Sequence, residues 1–346
     1  MLKHIDIQAY KCLENCQLPL QALTLLTGPN SSGKSTVIQA ILIALSSLEQ
    51  KNQIYLDEVV KPYSQYDEVV CRWATTRVIT IRVFFGAAPF GIEISHDSIK
   101  TTNDSVSIPL QYEESFFYLS ANRLGPEDIS ELNKKLCIGP KGQWAFGYLE
   151  QHKDKPLHDA ICHAAAPSKT LKAQLAYWLT FIVGISVEAR TQKITATSVK
   201  TSFNVGVIED ISPFNTGAGN SYLLKLLIMC LTCKPGDVLL IENPEIHLHP
   251  GAQARLGAFL AYLAARGVQV VAETHCEHLI NRIRFEIYQD KLNAHDVVIH
   301  YKANEKSNFE TLLINQSGHF VDSNGVSTTF PAGFFDSTLR ELLEIG

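Results

Sequence analysis

The sequence predicts an α/β fold built around a parallel sheet. Two observations carry this. Strand–loop–helix units recur at both ends of the 346-residue chain, the pattern of parallel strands joined by crossover helices. The apolar run Ala22 to Thr27 leads straight into the glycine-rich stretch G-P-N-S-S-G-K-S-T at 28–36, as a buried parallel strand does.

The elements follow in order. Ile5, Ile7 and Tyr10, then Leu18 and Leu20, alternate as two short strands of a hairpin. From Ser35 to Leu48, apolar side chains at 37, 38, 41, 42, 45 and 48 keep helical spacing. Val78 to Phe85 and Gly91 to Ser95 read as strands. Residues 129–183 are more helical, and Leu171 to Ile182 is strongly amphipathic. Ser221 to Cys233 is a helix stopped by Pro235-Gly236. Asp237 to Ile241 and Val268 to Ala272 are buried strands, each followed by a helix, Gln253 to Ala265 and His278 to Arg284. Val297 to Tyr301 and Thr311 to Ile314 are late strands. The sequence has no internal repeat, low-complexity tract or long linker.

Composition sets limits. The apolar fraction is 46% and the charged fraction 19%, ordinary for a soluble globular chain. A net charge of −5 excludes a globally basic surface, so any contact with nucleic acid must be a local patch. The apolar stretch Leu223 to Cys233 is too short to span a membrane and carries Lys225. The opening M-L-K-H-I-D-I has no apolar signal core, so the expected location is the cytoplasm. Eight cysteines do not form a secreted framework. Cys230 and Cys233 lack the second pair a zinc site needs and read as buried thiols.

Four stretches carry chemistry. Gly28, Gly33, Lys34 and Ser35 fit G-x-x-x-x-G-K-[ST], with a strand before and a helix after. In such a loop Asn30, Ser31, Ser32, Gly33, Lys34, Ser35 and Thr36 cradle phosphates, Lys34 meets the outer ones and Ser35 ligates Mg²⁺. V-L-L-I-E-N-P-E at 238–245 is an apolar strand ending in Glu242, a second ligand for that Mg²⁺. A-E-T-H-C-E-H at 272–278 places His275, with Thr274 beside it, where it can donate to a terminal phosphate. N-T-G-A-G-N-S at 215–221 opens a long helix, whose N-terminus suits an anion.

In this order the four stretches resemble those of ABC-type ATPases. E-N-P-E-I-H-L-H-P (242–250), E-T-H-C-E-H-L-I-N-R-I-R (273–284) and Y-L-S-A-N-R-L-G-P (118–126) look like a bacterial branch related to the RecF, SMC and OLD-type ATPases. That branch usually closes with W-P-x-G-F-F-D, and residues 330–336 read F-P-A-G-F-F-D. The resemblance implies an ABC-type P-loop NTPase head at 1–315. It would have an N-terminal antiparallel β subdomain, a mixed or parallel core sheet and a helical insertion at about 129–200, with a short C-terminal domain at 316–346. It also implies ATP and Mg²⁺ held between two copies, with Gly217, Gly219 and Ser221 of one facing the P-loop of the other. Relatives commonly sense or hold nucleic acid, DNA or RNA, and several act beside a nuclease in phage defence.

The departures matter. A Glu usually follows the Mg²⁺ carboxylate and activates water; here that position is Asn243, and an amide cannot act as a general base. Either Glu245 takes the role, which requires the chain to turn at Pro244, or hydrolysis is slow. Cys276 stands where relatives usually have Ser, and reads as a mild substitution. Gln65 in Y-S-Q-Y-D is a candidate metal-side glutamine or a plain surface residue. Arg123 either orders its loop or touches ligand. Lys11 reads as exposed, and His247 and His249 as turn and packing residues rather than a zinc pair. The favoured function is an ATP-dependent dimerisation switch with ATPase activity, serving an effector such as a nuclease. Its alternatives are a RecF-like DNA clamp and an ATP-binding scaffold with little hydrolysis. A transporter subunit fits poorly, because G-A-G-N-S replaces L-S-G-G-Q.

Overall fold

The computed structural model describes residues 1–48, 53–86, 88–102, 110–133 and 135–331. β1 (Leu2–Tyr10) and β2 (Leu13–Pro19) form the expected hairpin, and β3 (Leu23–Thr27) runs into the glycine-rich loop. α1 (Lys34–Ser46), α2 (Gln53–Val60) and α3 (Tyr66–Val69) follow. β4 (Ile79–Phe85), β5 (Ala88–Ile94) and β6 (Ile99–Thr102) add to the hairpin, giving an antiparallel sheet in the order β2-β1-β4-β5-β6.

Next come β7 (Phe116–Leu119), β8 (Ile129–Glu131), α4 (Ala145–His152) and α5 (Leu171–Val183). β9 (Val187–Lys193), β10 (Ser198–Val205) and β11 (Ile208–Ile211) lead to α6 (Ala218–Thr232). The insertion therefore carries the expected helices α4 and α5, and also a small antiparallel sheet in which β10 pairs with β8, β9 and β11.

The chain then alternates β12 (Val238–Glu242), α7 (Pro250–Ala265), β13 (Gln269–Glu273) and α8 (Glu277–Tyr288). It ends, among the described residues, with β14 (Val297–Tyr301), β15 (Glu310–Ile314) and β16 (Phe320–Val321). The core sheet runs β16-β15-β14-β3-β13-β12-β7. Its five strands from β14 to β7 are parallel, and β15 and β16 are antiparallel. It is mixed, as expected.

Alternation along the parallel strands divides the core in two. Leu239, Ile241, Val270 and Ala272 face the layer of α4 to α8. Val238, Leu240, Val271 and Leu26 face α1 and the N-terminal sheet. Both faces are covered, so these strands read as unbroken apolar runs. Phe330 packs edge-on against Tyr301 and Phe320, as an aromatic anchor would. The rest of F-P-A-G-F-F-D, from 332 on, lies outside the described residues. Among the described residues no helix is long and apolar enough to cross a membrane.

One buried polar residue ties the N-terminal sheet to the core sheet. The Gln269 amide accepts from Leu2 N at 2.7 Å and donates to Leu2 O at 2.7 Å and Gln21 O at 3.1 Å. Gln269→Leu would strand these backbone groups and lower the unfolding free energy by about 1–3 kcal/mol. Urea denaturation reads this, and an unchanged midpoint would show that the clamp contributes nothing.

Candidate functional site

The C-terminal ends of β3, β13 and β12 lie side by side, so the loops that follow them share one edge of the sheet. The loop after β3 turns through Gly28 (φ 137°), Ser31 (φ 60°) and Gly33 (φ 108°). Glycine is required at both of its ends. A Cβ on Gly28 would sit 2.2 Å from the Lys302 carbonyl oxygen, and one on Gly33 would sit 2.3 Å from the Cys12 Sγ. Asn30 and Ser31 are exposed on the outside of the turn; Ser32 and Thr36 are buried beneath it.

Lys34 and Ser35, the first two residues of α1, point at one carboxylate. Ser35 Oγ donates to Glu273 Oε2 at 2.6 Å, and Lys34 Nζ lies 3.8 Å from Glu273 Oε1. Lys34 also donates to the Pro29 carbonyl at 2.6 Å. Glu273 ends β13, and its place beside the loop follows from register: it pairs with Leu26 of β3 on one side and Glu242 of β12 on the other.

Glu242 lies one strand further from Ser35 than Glu273 does. The Glu242 carboxylate accepts from Ala121 N at 3.0 Å and from the Tyr118 hydroxyl at 3.3 Å, with Ser120 Oγ at 3.5 Å, on the side away from β3. Glu242 and Glu273 remain neighbours, and after burial the Glu242 charge helps to raise the Glu273 pKa. The sequence reading assigns the end of this strand to His275, two residues later, and passes over Glu273. Its signal was the same as that of Glu242, a carboxylate ending an apolar strand.

Asn243 adopts φ 44°, and its N–H donates to the Glu273 carbonyl at 2.9 Å. The chain turns there, which brings Glu245 back to the site. Glu245 Oε1 accepts from Thr274 Oγ1 at 2.8 Å and His275 N at 2.9 Å. Its Oε2 is buried without a partner among the described residues, as is Asn243 Oδ1. His275 is half-exposed; its ring meets the Gly28 backbone, and its Nε2 lies 4.0 Å from Glu273 Oε1. Burial, helped by Lys34, lowers the His275 pKa, so the ring is held toward its neutral form.

Other candidates fall into place or out of it. Arg123 is buried and orders its loop: it donates to Ser120 O at 3.0 Å, to the Glu242 carbonyl, and to Asn243 O at 3.2 Å. Gln65 is exposed at the head of α3, and Tyr63, two residues earlier, is half-buried. Lys11 is half-buried rather than exposed. It donates to Gln39 at 2.6 Å and lies 5.2 Å over the Tyr63 ring.

At the head of α6, Gly217 is exposed. Gly219 is needed for packing, since a Cβ there would sit 2.5 Å from the His247 carbonyl oxygen. Ser221 is fully buried. Its hydroxyl has no hydrogen-bond partner among the described residues. His247 stacks near Tyr222 at 4.8 Å, and His249 caps α7 by accepting from Gly251 N. Among the described residues no cluster of His, Cys, Asp and Glu is arranged to hold a metal by itself. Cys276 is buried, caps α8 through Leu279 N, and has its thiol pKa pushed up to about 11 by burial. Cys230 and Cys233 are free and buried, as expected.

With this geometry in hand, the comparisons are decisive for the family. A family model described as "AAA domain, putative AbiEii toxin, Type IV TA system" matches residues 90–281, more than half of the chain. The chain belongs to that AAA-domain family. A second model, "AAA ATPase domain", matches residues 1–161. An OLD nuclease of Thermus scotoductus is 33% identical over 85 residues, 25% of this chain and 14% of the nuclease. Two solved structures share the fold. An SMC head bound to the C-winged helix domain of ScpA has a TM-score of 0.57 at 11% identity, over 91% of this chain and 98% of that one. An SMC head with an extended coiled coil, bound to the C-terminal domain of ScpA derived from Pyrococcus furiosus, has a TM-score of 0.57 at 10% identity, over 99% of both chains. The expected kinship with ABC-type ATPases of the RecF, SMC and OLD branch stands.

Burial raises the pKa of Glu242, Glu245 and Glu273. The folded chain therefore holds their protons more tightly than the unfolded chain does. Their contribution to stability is complete below the ordinary value of 4.5 and is lost as pH rises through the raised folded values. Glu273→Gln removes one such group. Its melting temperature should fall less than the parent's as pH rises above the ordinary value of 4.5; parallel curves would contradict the assignment.

Proposed function

We propose that the chain is an ATP-binding and ATP-hydrolysing dimerisation switch. The observation that carries this reading is the convergence of Lys34 and Ser35 on Glu273, with Glu242, Glu245 and His275 around them. The residues fit a nucleoside triphosphate with Mg²⁺. Gly28 and Gly33 let the loop turn tightly against Lys302 and Cys12, as a phosphate-cradling loop requires. Two buried polar atoms beside it, Glu245 Oε2 and Asn243 Oδ1, lack partners among the described residues.

Lys34 would hold the outer phosphates, and Ser35 with Glu273 and Glu242 would hold the metal. A bound Mg²⁺ would neutralise charge on the phosphates. His275 would donate to the terminal phosphate. Glu245 is the proposed base, positioned by Thr274 and the His275 amide. Its raised pKa moves it toward the working pH of a general base. The exposed Gly217 end of α6 in a second copy would close over the phosphates. The effector is proposed to be a nuclease or another protein acting on nucleic acid in anti-phage defence, in the cytoplasm. This is supported by the local identity with an OLD nuclease and by the toxin–antitoxin wording of the family description.

A second reading, an ATP-binding scaffold with little hydrolysis, is favoured by one observation. Asn243 occupies the usual base position, and Glu245 is already fastened by two hydrogen bonds.

Light scattering tests the switch. ATP with Mg²⁺ should convert the parent to dimer and leave Lys34→Ala unconverted; a parent that stays monomeric would sink the proposal. Phosphate release separates the two readings. Glu245→Gln should slow multiple-turnover hydrolysis by about 10²-fold or more while ATP binding persists. Equal rates would remove Glu245 as base and favour the scaffold.

A further inference from the structure

We propose that residues 120–128 couple the metal side of the site to α6, with Lys225 as the positioning residue that makes the connection. The proposal rests on the dimerisation reading above.

Lys225 is a fully buried cation in an otherwise apolar stretch of α6. Burying an ammonium group is costly unless it is paired and hydrogen-bonded, and a leucine would have packed there at no such cost. Lys225 is fully engaged. Its Nζ donates to Glu127 Oε2 at 2.6 Å, Leu124 O at 3.0 Å and Gly125 O at 3.4 Å. The ammonium lies 5.0 Å over the Phe146 ring. Gly142 leaves room for its stem, since a Cβ there would sit 2.9 Å from Lys225 Cδ.

The next residue along, Asp128, accepts from Ser212 Oγ at 2.5 Å. Ser212 caps the turn that leads through Phe214 to Gly217. Two adjacent acids thus fasten the same segment to the middle of α6 and to its lead-in.

At its other end the segment holds the site. Ala121 N and Ser120 Oγ grip the Glu242 carboxylate, and Arg123 binds the carbonyls of Glu242 and Asn243. If Glu242 turns toward a cation beside Glu273, it must loosen its hold on Ala121. That releases the segment which sets the position of the Gly217 end of α6. One copy's own nucleotide then governs how its α6 meets the nucleotide of the second copy.

The test uses the full chain with Lys225→Met and with Glu127→Gln. Each should raise the ATP concentration needed for half-maximal dimerisation by about tenfold, within the usual range of coupling between sites. Affinity of the monomer for a fluorescent ADP with Mg²⁺ should stay within about twofold of the parent. The double variant should be no worse than Lys225→Met alone, because both changes break one connection. Parent-like dimerisation in Glu127→Gln overturns the coupling, even if Lys225→Met does not fold. So does an equal loss of ADP binding, which marks a purely structural role. A parent that binds ADP but never dimerises with ATP overturns the dimerisation reading and the coupling together.

Discussion

The contact between Ser35 and Glu273 is the constraint around which the site is arranged. It joins the loop after β3 to the end of β13, and it is possible only because parallel register sets Glu273 level with Leu26. From that one alignment the rest follows. Lys34 meets the same carboxylate, His275 comes to the loop backbone, and Asn243 is fastened to the Glu273 carbonyl. The scattered ion pairs of the insertion, such as Lys172 with Glu188 or Arg190 with Glu209, are exposed and contribute little by comparison. The site's charges are enclosed, so each unpaired one costs far more.

That enclosure leaves an imbalance. Glu242, Glu245 and Glu273 are buried near two buried cations, Lys34 and Arg123, and Arg123 is spent on backbone carbonyls. Burial raises all three carboxylates, and Glu242 and Glu245 raise Glu273 further. A purely structural core would relieve this with apolar side chains of similar size, usually at no loss of stability. Retaining the carboxylates makes sense where positive charge is to be taken up, and the glycine-walled loop beside them is where phosphates with a divalent cation fit.

Most of the fold was legible because its signals are local. Apolar runs marked four of the five parallel strands, all but β7, helical spacing marked α1, α6 and α7, and the glycine loop was readable from its own residues. Three other things were not. The insertion's sheet is formed from strands such as V-E-A-R-T-Q-K, half-exposed and polar, which carry no apolar run to notice. Glu273 owes its role to register between strands far apart in sequence, where no local pattern speaks. At the head of α6 the sequence showed which small residues were present but not their reasons. Gly219 serves close approach to His247, and Ser221 faces inward, so only Gly217 is exposed among the three.

The oddest departure in the sequence, an amide where a catalytic carboxylate is usual, has a backbone explanation. Residue 243 sits at φ 44°, in the left-handed region. Asn enters that region more readily than other non-glycine residues, and the conformation costs roughly 1–2 kcal/mol for an ordinary side chain. The conformation is needed, because with Pro244 it folds the chain back so that Glu245 reaches Thr274 and the His275 amide. A Glu at 243 would therefore strain the very turn that delivers the second carboxylate. The two features are one arrangement: Asn243 permits the turn, and the turn sets Glu245, three residues after Glu242, against Thr274 and the His275 amide.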